Sequence, residues 1–175
     1  MKVGTEAKEK EFASWPNQIW AAEALATVKR EGLASLALAD AGLFCEKGMS
    51  ERNWVHLMAA VVAFESNFKP ETEYKENFKS DPKGDFVIST GLFQISIAST
   101  RASRYGCVWA NQAELRDPIK NIACAGKVIR SLVAENKAIA NHSGTSYKGM
   151  SRYWSVMRPN GKLAQVKAKL KPWCE

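Results

Sequence analysis

The sequence is poor in residues that bind metals and has no long hydrophobic run. His56 and His142 are its two histidines, and its four cysteines include no Cys-x-x-Cys pair, so the ligand spacing of a zinc site is missing. The longest apolar stretch, residues 55–64, is about half a membrane span and contains a histidine. We therefore expect no metal, no organic cofactor and no transmembrane helix.

Glycine and proline are also scarce, with 11 Gly and 6 Pro, and we find no internal repeat. Because 46% of the residues are hydrophobic, neither a disordered chain nor a fibrous protein fits the composition. A length of 175 residues suits one domain. We expect a single catalytic domain over residues 1–175, with a frayed, charged segment at residues 1–14.

The charge is unbalanced towards the basic side, with 25 Lys and Arg against 18 Asp and Glu and a net charge of +7. Such a chain favours a polyanionic partner, which could be nucleic acid, an acidic membrane surface or an anionic cell-wall polymer. A nucleic-acid binder would draw on the lysines of residues 162–171. However, no Gly-rich phosphate loop, zinc knuckle or aromatic sheet motif accompanies them, so we predict no nucleic-acid partner.

The four cysteines, Cys45, Cys107, Cys124 and Cys174, are even in number and far apart in the sequence. This pattern favours two disulfides and an oxidising compartment, the alternative being four buried thiols in the cytosol. Of the three possible connectivities we favour Cys107 with Cys124 and Cys45 with Cys174. Residues 1–30 contain no apolar core of a signal peptide, so an exported protein would be present here in its mature form.

Capping residues and apolar periodicity predict several helices. Ser50 and Asp117 are good N-caps, and Pro118 suits the first helical position. We expect helices over residues 16–31 and 33–42, a helix over residues 51–65 after Ser50, and a helix that begins at residue 118 after Asp117. Between the last two helices we expect an exposed charged loop over residues 69–85 and a strand or an irregular turn over residues 87–96.

Glu65 lies on the apolar face of the helix that follows Ser50. The residues three, four and seven positions before it are Val62, Val61 and Met58. Burial would raise the pKa of this carboxyl, and a carboxyl that keeps its proton near neutral pH can serve as the general acid of a glycosidase. Alternatively, the side chain reaches solvent, or its carboxylate pairs with Lys69 or Arg101.

Three motifs extend this interpretation: Phe-Glu-Ser-Asn-Phe at residues 64–68, Ser-Thr-Gly-Leu-Phe-Gln-Ile at 89–95 and Asp-Pro-Ile-Lys-Asn-Ile at 117–122. Their order and character resemble the soluble lytic transglycosylases and goose-type lysozymes of glycoside hydrolase family 23. The similarity covers about residues 53–154. It implies a mainly α-helical, lysozyme-like domain, with a small irregular or β region beside the substrate cleft.

The resemblance also implies functional residues. Glu65 would be the catalytic acid, Gly91, Leu92 and Gln94 would line the sugar cleft, and Ser66 would bind or orient the substrate. The family's late tyrosine motif is matched only by Tyr153 and Trp154, which we predict to contact substrate together with Trp109. Tyr153 is equally well interpreted as a core aromatic residue with a hydrogen-bonded hydroxyl.

The implied substrate is bacterial peptidoglycan, cut at the β-1,4 bond between N-acetylmuramic acid and N-acetylglucosamine by a monomer in the periplasm or outside the cell. A lytic transglycosylase, which leaves a 1,6-anhydro end, needs one carboxyl group. An inverting hydrolase needs a second carboxylate roughly 6.5–9.5 Å away to hold water, and Asp81 and Asp85 are candidates unless they belong to a solvated loop. The alternative function is a non-catalytic protein that binds the cell wall.

Overall fold

The computed structural model describes residues 12–79 and 84–175. Most of the predicted N-terminal segment falls outside these ranges, and Phe12 packs against the core. The first helix, α1, spans Gln18–Arg30. It begins two residues after Pro16 because the side chain of Asn17 accepts hydrogen bonds from the backbone N–H groups of the next turn. Gly32, with φ of 62°, follows its end.

Helix α2 spans Glu51–Glu65 and forms the centre of the molecule. Its N-terminus is the predicted one, since Ser50 accepts a hydrogen bond of 3.1 Å from the backbone N–H of Asn53. Every residue from 53 to 62 is buried, so the helix contacts the rest of the protein on all sides. Its last residue, Glu65, is therefore held at the edge of the core.

The longest helix, α5, spans Pro118–Asn136 and also begins where it was predicted, with Asp117 as its N-cap. Helix α1 packs against both α2 and α5. Gly126 allows the close approach of α1 and α5, because a Cβ atom at this position would lie 2.0 Å from Cγ2 of Thr27. The two predicted, well-capped helices thus meet in one core.

The charged segment from Lys69 to Asp85 contains a β-strand where the sequence predicted a loop. Strand β1, Glu73–Lys79, pairs antiparallel with β2, Phe86–Thr90, in a register that places Tyr74 opposite Ser89. The prediction was wrong because nearly all of β1 is exposed, so its residues carry no apolar alternation. The strand forms through backbone pairing with β2, which the pattern of side chains in the sequence does not show.

A second correction concerns the helix predicted over residues 33–42. Leu33–Ser35 and Ala41–Leu43 form two short 3-10 turns instead. Asp40 lies between them, and its carboxylate accepts hydrogen bonds of 2.7 and 3.0 Å from the backbone N–H groups of Ile139 and Ala140. This tertiary contact fixes a non-helical connection.

The remaining elements are short. They are α3 (Ile97–Thr100), α4 (Ala102–Tyr105), β3 (Ala140–Ser143), β4 (Ser146–Gly149) and α6 (Leu163–Leu170). Helix α6 packs against α2, and β3 and β4 form a second hairpin. The predicted fold class, a mainly α-helical domain with a small β region, is confirmed. In the described ranges no helix is long and apolar enough to cross a membrane.

Both favoured disulfides, Cys45–Cys174 and Cys107–Cys124, are present. The first joins residues 129 positions apart and attaches the C-terminal segment to the core beside Phe44. The second joins residues 17 positions apart and attaches the turn after α4 to helix α5. The disulfides thus restrain two segments that have little regular structure of their own.

We expect loss of Cys45–Cys174 to cost more stability than loss of Cys107–Cys124, because a cross-link across a longer loop removes more entropy from the unfolded chain. The double variant Cys45→Ser/Cys174→Ser should lose about 5 kcal/mol of unfolding free energy, and Cys107→Ser/Cys124→Ser about 3 kcal/mol. Denaturant unfolding of both variants measures the difference. An equal or reversed order would contradict the prediction.

Candidate active site

A cleft of about 750 Å³ opens at the C-terminal end of α2. Four parts of the chain line it: Glu65, the β1–β2 hairpin with Gln94, the segment 99–104, and the segment 152–158. The hairpin, whose first strand the sequence analysis assigned to a loop, therefore supplies one wall of the cleft. The prediction of a small β region beside the cleft is met by this hairpin.

Glu65 reaches the cleft with a carboxyl group that resists ionisation. Burial, with a smaller contribution from the negative charge of Glu76, raises the pKa of Glu65 to about 8. Within the described residues no ion pair joins Glu65 to Lys69 or Arg101, the partners that the alternative interpretation required. Glu65 therefore keeps its proton at neutral pH and is able to donate it.

A second carboxyl group lies in the same cleft, on Glu76 of β1. The hydroxyl of Ser89, on the neighbouring strand, donates a hydrogen bond of 2.7 Å to Oε1 of Glu76. Sequence analysis proposed Asp81 and Asp85 for this position and missed Glu76. Asp81 lies outside the described residues, and Asp85 is exposed and does not line the cleft.

The sequence contains only a weak indication that Glu76 belongs to the site. Tyr74, Glu76 and Phe78 alternate along β1, and all three side chains face the cleft. The alternation becomes meaningful only once the segment is known to be a strand. The two aromatic side chains are 61% and 51% exposed, so they present open rings next to the carboxyl groups.

The turn at residues 91–94 is held by the buried amide of Asn121. Its Oδ1 accepts a hydrogen bond of 2.9 Å from the backbone N–H of Phe93. Its Nδ2 donates to the carbonyl groups of Thr90 and Leu115, at 3.1 and 2.8 Å. Gly91 lies directly against this amide with φ of +83°, and a Cβ atom there would be 2.3 Å from Nδ2. This position therefore requires glycine.

Gln94 and Ser66 occupy opposite sides of this turn. Gln94 lines the cleft, and its Nε2 donates hydrogen bonds to the carbonyl groups of Thr72 and Gly91. The buried hydroxyl of Ser66 donates to the carbonyl group of Leu92 at 2.9 Å, and neither residue lines the cleft. Ser66, Gly91 and Leu92 thus shape the turn beneath the cleft, and Gln94 faces the cleft itself.

Tyr153 and Trp154 line the cleft, as the resemblance implied for substrate-contacting residues. Trp154 is nearly buried, and its indole N–H donates to the carbonyl group of Phe93 at 2.8 Å. Burial raises the pKa of Tyr153 to about 12, and its hydroxyl is hydrogen-bonded to Ser96 and Ser99. Trp109 does not line the cleft; its indole N–H donates to Thr100.

The side chains of the described residues include no group of three or more His, Cys, Asp or Glu that could hold a metal ion. The cleft is lined by three carboxyl groups, on Glu65, Glu73 and Glu76, of which Glu73 is paired with Arg116; hydroxyl, amide, aromatic and guanidinium groups surround them.

Comparison with known proteins places the chain in a family. The family described as Transglycosylase SLT domain matches residues 42–163, and the chain belongs to it. The predicted resemblance is thereby confirmed. Members of this family act on peptidoglycan, so the protein is a peptidoglycan-acting enzyme of the transglycosylase type. No curated protein sequence gives a significant match.

Solved structures of a protein named DslA are similar over nearly the whole chain. One wild-type form is 30% identical, with a TM-score of 0.80 over 90% of this chain and 92% of DslA. A variant of DslA with one glutamate replaced by glutamine is 32% identical, with a TM-score of 0.78 over 89% of this chain and 87% of the variant. A second variant of this kind is 30% identical, with a TM-score of 0.81 over 90% of this chain and 92% of the variant.

Glu65→Gln should stabilise the folded protein at neutral pH. The carboxyl of Glu65 ionises near pH 4.5 in the unfolded chain but keeps its proton up to about pH 8 when folded. Wild-type stability from this group is therefore complete below pH 4.5 and declines as the pH rises towards 8. We expect the variant to match wild type at pH 4 and to exceed it by roughly 1–3 kcal/mol at pH 7.

Denaturant unfolding at several pH values measures this difference, with Glu71→Gln, an exposed glutamate outside the cleft, as the control. A stability difference between Glu65→Gln and wild type that stays constant from pH 4 to pH 7 would show that Glu65 ionises normally.

Asn121→Ala should lose stability and activity together, because it leaves the buried backbone N–H of Phe93 and the carbonyl group of Leu115 without partners and removes one of the two donors to the carbonyl group of Thr90. We expect a loss of about 2–4 kcal/mol in unfolding free energy. Asn141→Ala, an exposed position, is the matched control. Stability of Asn121→Ala equal to that control would contradict the role given to the amide.

Proposed function

We propose that this protein is a peptidoglycan hydrolase that cuts the β-1,4 bond between N-acetylmuramic acid and N-acetylglucosamine. The observation that carries the proposal is the pair of carboxyl groups in one cleft: Glu65, which holds its proton at neutral pH, and Glu76, whose charge acts on it. Glu65 is the general acid, and Glu76 is the carboxylate that holds the attacking water.

Glu65 suits proton donation for two reasons. Its pKa of about 8 lies near neutral pH, where a general acid combines the protonated state with ready release of the proton. The carboxyl group also lies just beyond the buried part of α2 in a largely desolvated position, so its proton is available to the oxygen of the leaving sugar. Because burial disfavours the resulting carboxylate, Glu65 regains a proton after each cleavage.

Glu76 suits the second role because its carboxylate has a fixed orientation and remains accessible. Ser89 donates to Oε1, and Oε2 accepts no hydrogen bond from the described residues. Oε2 is therefore available to accept a proton from a water molecule in the cleft. Glu76 is partly exposed, so water can reach it. This division between a protonated and an ionised carboxyl suits a glycosidase that uses two carboxyl groups, and we propose the inverting form, in which the ionised group activates water.

The comparison with DslA supports the pairing. The two glutamates that are replaced in the DslA variants lie 11 residues apart, which is also the separation of Glu65 and Glu76. A lytic transglycosylase, in contrast, returns the proton to one carboxyl group and uses the C6 hydroxyl of the sugar in place of water. A second carboxylate in the cleft is not needed for that reaction.

The cleft also offers surfaces suited to a glycan. Tyr74 and Phe78 present exposed rings on the hairpin side, and sugar rings stack on such faces. Tyr153 and Trp154 also line the cleft, where the buried Trp154 helps to form the wall and offers no open ring face. The net charge of +7 favours the anionic wall, and the two disulfides favour an oxidising compartment. We therefore place the enzyme in the periplasm or outside the cell, acting as a monomer.

Digestion of purified peptidoglycan, followed by mass spectrometry of the products, tests the proposal. Wild type should release glycan fragments with reducing ends. Glu65→Gln should lose activity by about a hundredfold or more, since the amide cannot donate a proton as an acid does. Glu76→Gln should also lose activity, because the amide binds water without taking its proton. Glu71→Gln is the control and should keep wild-type rates.

The other outcomes assign other functions. Anhydro ends from wild type that persist in Glu76→Gln would identify a lytic transglycosylase with Glu65 as its one carboxyl group. No products from wild type, together with retention on the glycan, would identify a non-catalytic wall-binding protein.

A further inference from the structure

Three arginine side chains line the cleft on segments other than those that carry its carboxyl groups: Arg104, Arg152 and Arg158. The segments of Arg104 and Arg152 are in contact, because the rings of the next residues, Tyr105 and Tyr153, lie 6.3 Å apart between centroids. We call these three residues the arginine end of the cleft. The reaction proposed above uses none of them, so their presence in the cleft calls for a separate explanation.

The three arginines differ in their existing partners. Arg152 is already paired with Glu135, at 2.8 Å. Arg158 is oriented but not neutralised: its Nε donates to the carbonyl group of Ser151 at 2.9 Å, and its guanidinium lies 4.3 Å from the ring centre of Tyr147. Arg104 and Arg158 have no carboxylate partner among residues 12–79 and 84–175.

We propose that Arg158, assisted by Arg104, binds a carboxylate carried by the muramic acid side chain of the substrate. The inference rests on the proposed function, because it takes the glycan to lie in this cleft. A guanidinium group matches a carboxylate in a two-pronged hydrogen bond. The contacts of Arg158 with Ser151 and Tyr147 already restrict its side chain, so binding costs less conformational entropy.

The charges in the cleft also determine the direction of the glycan. Glu76 on the hairpin repels a carboxylate, whereas the arginine end attracts one; Glu73 is already paired with Arg116. Substituents that carry a carboxylate are therefore attracted to one end of the cleft. This attraction selects one of the two orientations in which the glycan can present its scissile bond to Glu65. Arg158 and Arg104 thus act as specificity residues, because uncharged glycans such as chitin lack the group that they bind.

Two sources could supply the carboxylate. In intact peptidoglycan the lactyl group of muramic acid is joined to a peptide stem, and the stem carries carboxylates. After an amidase removes the stem, the lactyl group itself carries a free carboxylate. Both are carboxylates on the same side chain of muramic acid, so the experiment includes both forms of the glycan.

The test measures binding, so its result does not depend on turnover. Glu65→Gln is titrated calorimetrically with tetrasaccharide fragments, either stem-bearing or amidase-stripped. Each fragment is used with its carboxylates free and with them converted to amides by a carbodiimide and ammonium. We expect free carboxylates to improve the affinity of at least one fragment about tenfold. The preference should disappear when Arg158→Gln is added to Glu65→Gln, and it should weaken when Arg104→Gln is added.

Arg101→Gln in the same background is the matched control, because Arg101 is also exposed and donates from Nε to a carbonyl group but does not line the cleft. It should keep the preference. The guanidinium group of Arg104 forms no hydrogen bond to the described residues and only contacts the ring of Tyr105, so we expect Arg104→Gln to leave the fold intact if Arg158→Gln proves unstable.

The result also separates this inference from the proposed function. If only the stem-bearing fragments show a preference for free carboxylates, the bound group is a carboxylate of the peptide stem. If only the stripped fragments show it, the bound group is the lactyl carboxylate, and either result supports the inference. Equal affinity for free and amidated forms of both fragments, or a preference unaffected by both arginine substitutions, would overturn it. Wild-type digestion of peptidoglycan, measured in parallel, tests the hydrolase proposal alone.

Discussion

The chemistry that we propose for this protein depends on keeping one carboxyl group away from water. Helix α2 is buried over ten consecutive residues, and Glu65 follows where that burial ends. The β1–β2 hairpin then limits access to the carboxyl and adds the negative charge of Glu76. Asn121 holds the turn that follows the hairpin. The burial of Glu65 therefore depends on three separate elements, and movement of any one of them changes the pKa of Glu65.

The cleft combines opposite charges in separate places. Its carboxyl groups lie at the end of α2 and on the hairpin, and its unpaired guanidinium groups lie on the segments that follow α3 and β4. Opposite charges in direct contact would neutralise one another, as Glu135 and Arg152 do. Separation preserves a field along the cleft, which can align a substrate that itself carries charge along its length.

Sequence analysis succeeded where the signal was local. Ser50 and Asp117 begin their helices as predicted, and the spacing of apolar residues before Glu65 revealed its burial, because a helix places residues three and four positions apart on one face. Strand β1 was missed because its stability comes from backbone pairing with β2, whereas its own side chains are exposed. Glu76 was missed with it, and the second carboxyl group was sought among residues beyond the strand.

The disulfide between Cys45 and Cys174 imposes an order on maturation. Because a polypeptide emerges from its N-terminus, Cys45 meets oxidants when 129 further residues are still to come, and Cys107 and Cys124 appear before its native partner does. Every newly made chain can therefore form a non-native disulfide between Cys45 and one of these two cysteines. Its correction proceeds by thiol attack on the wrong bond, so the yield of the mature enzyme depends on a compartment that both oxidises and reshuffles thiols.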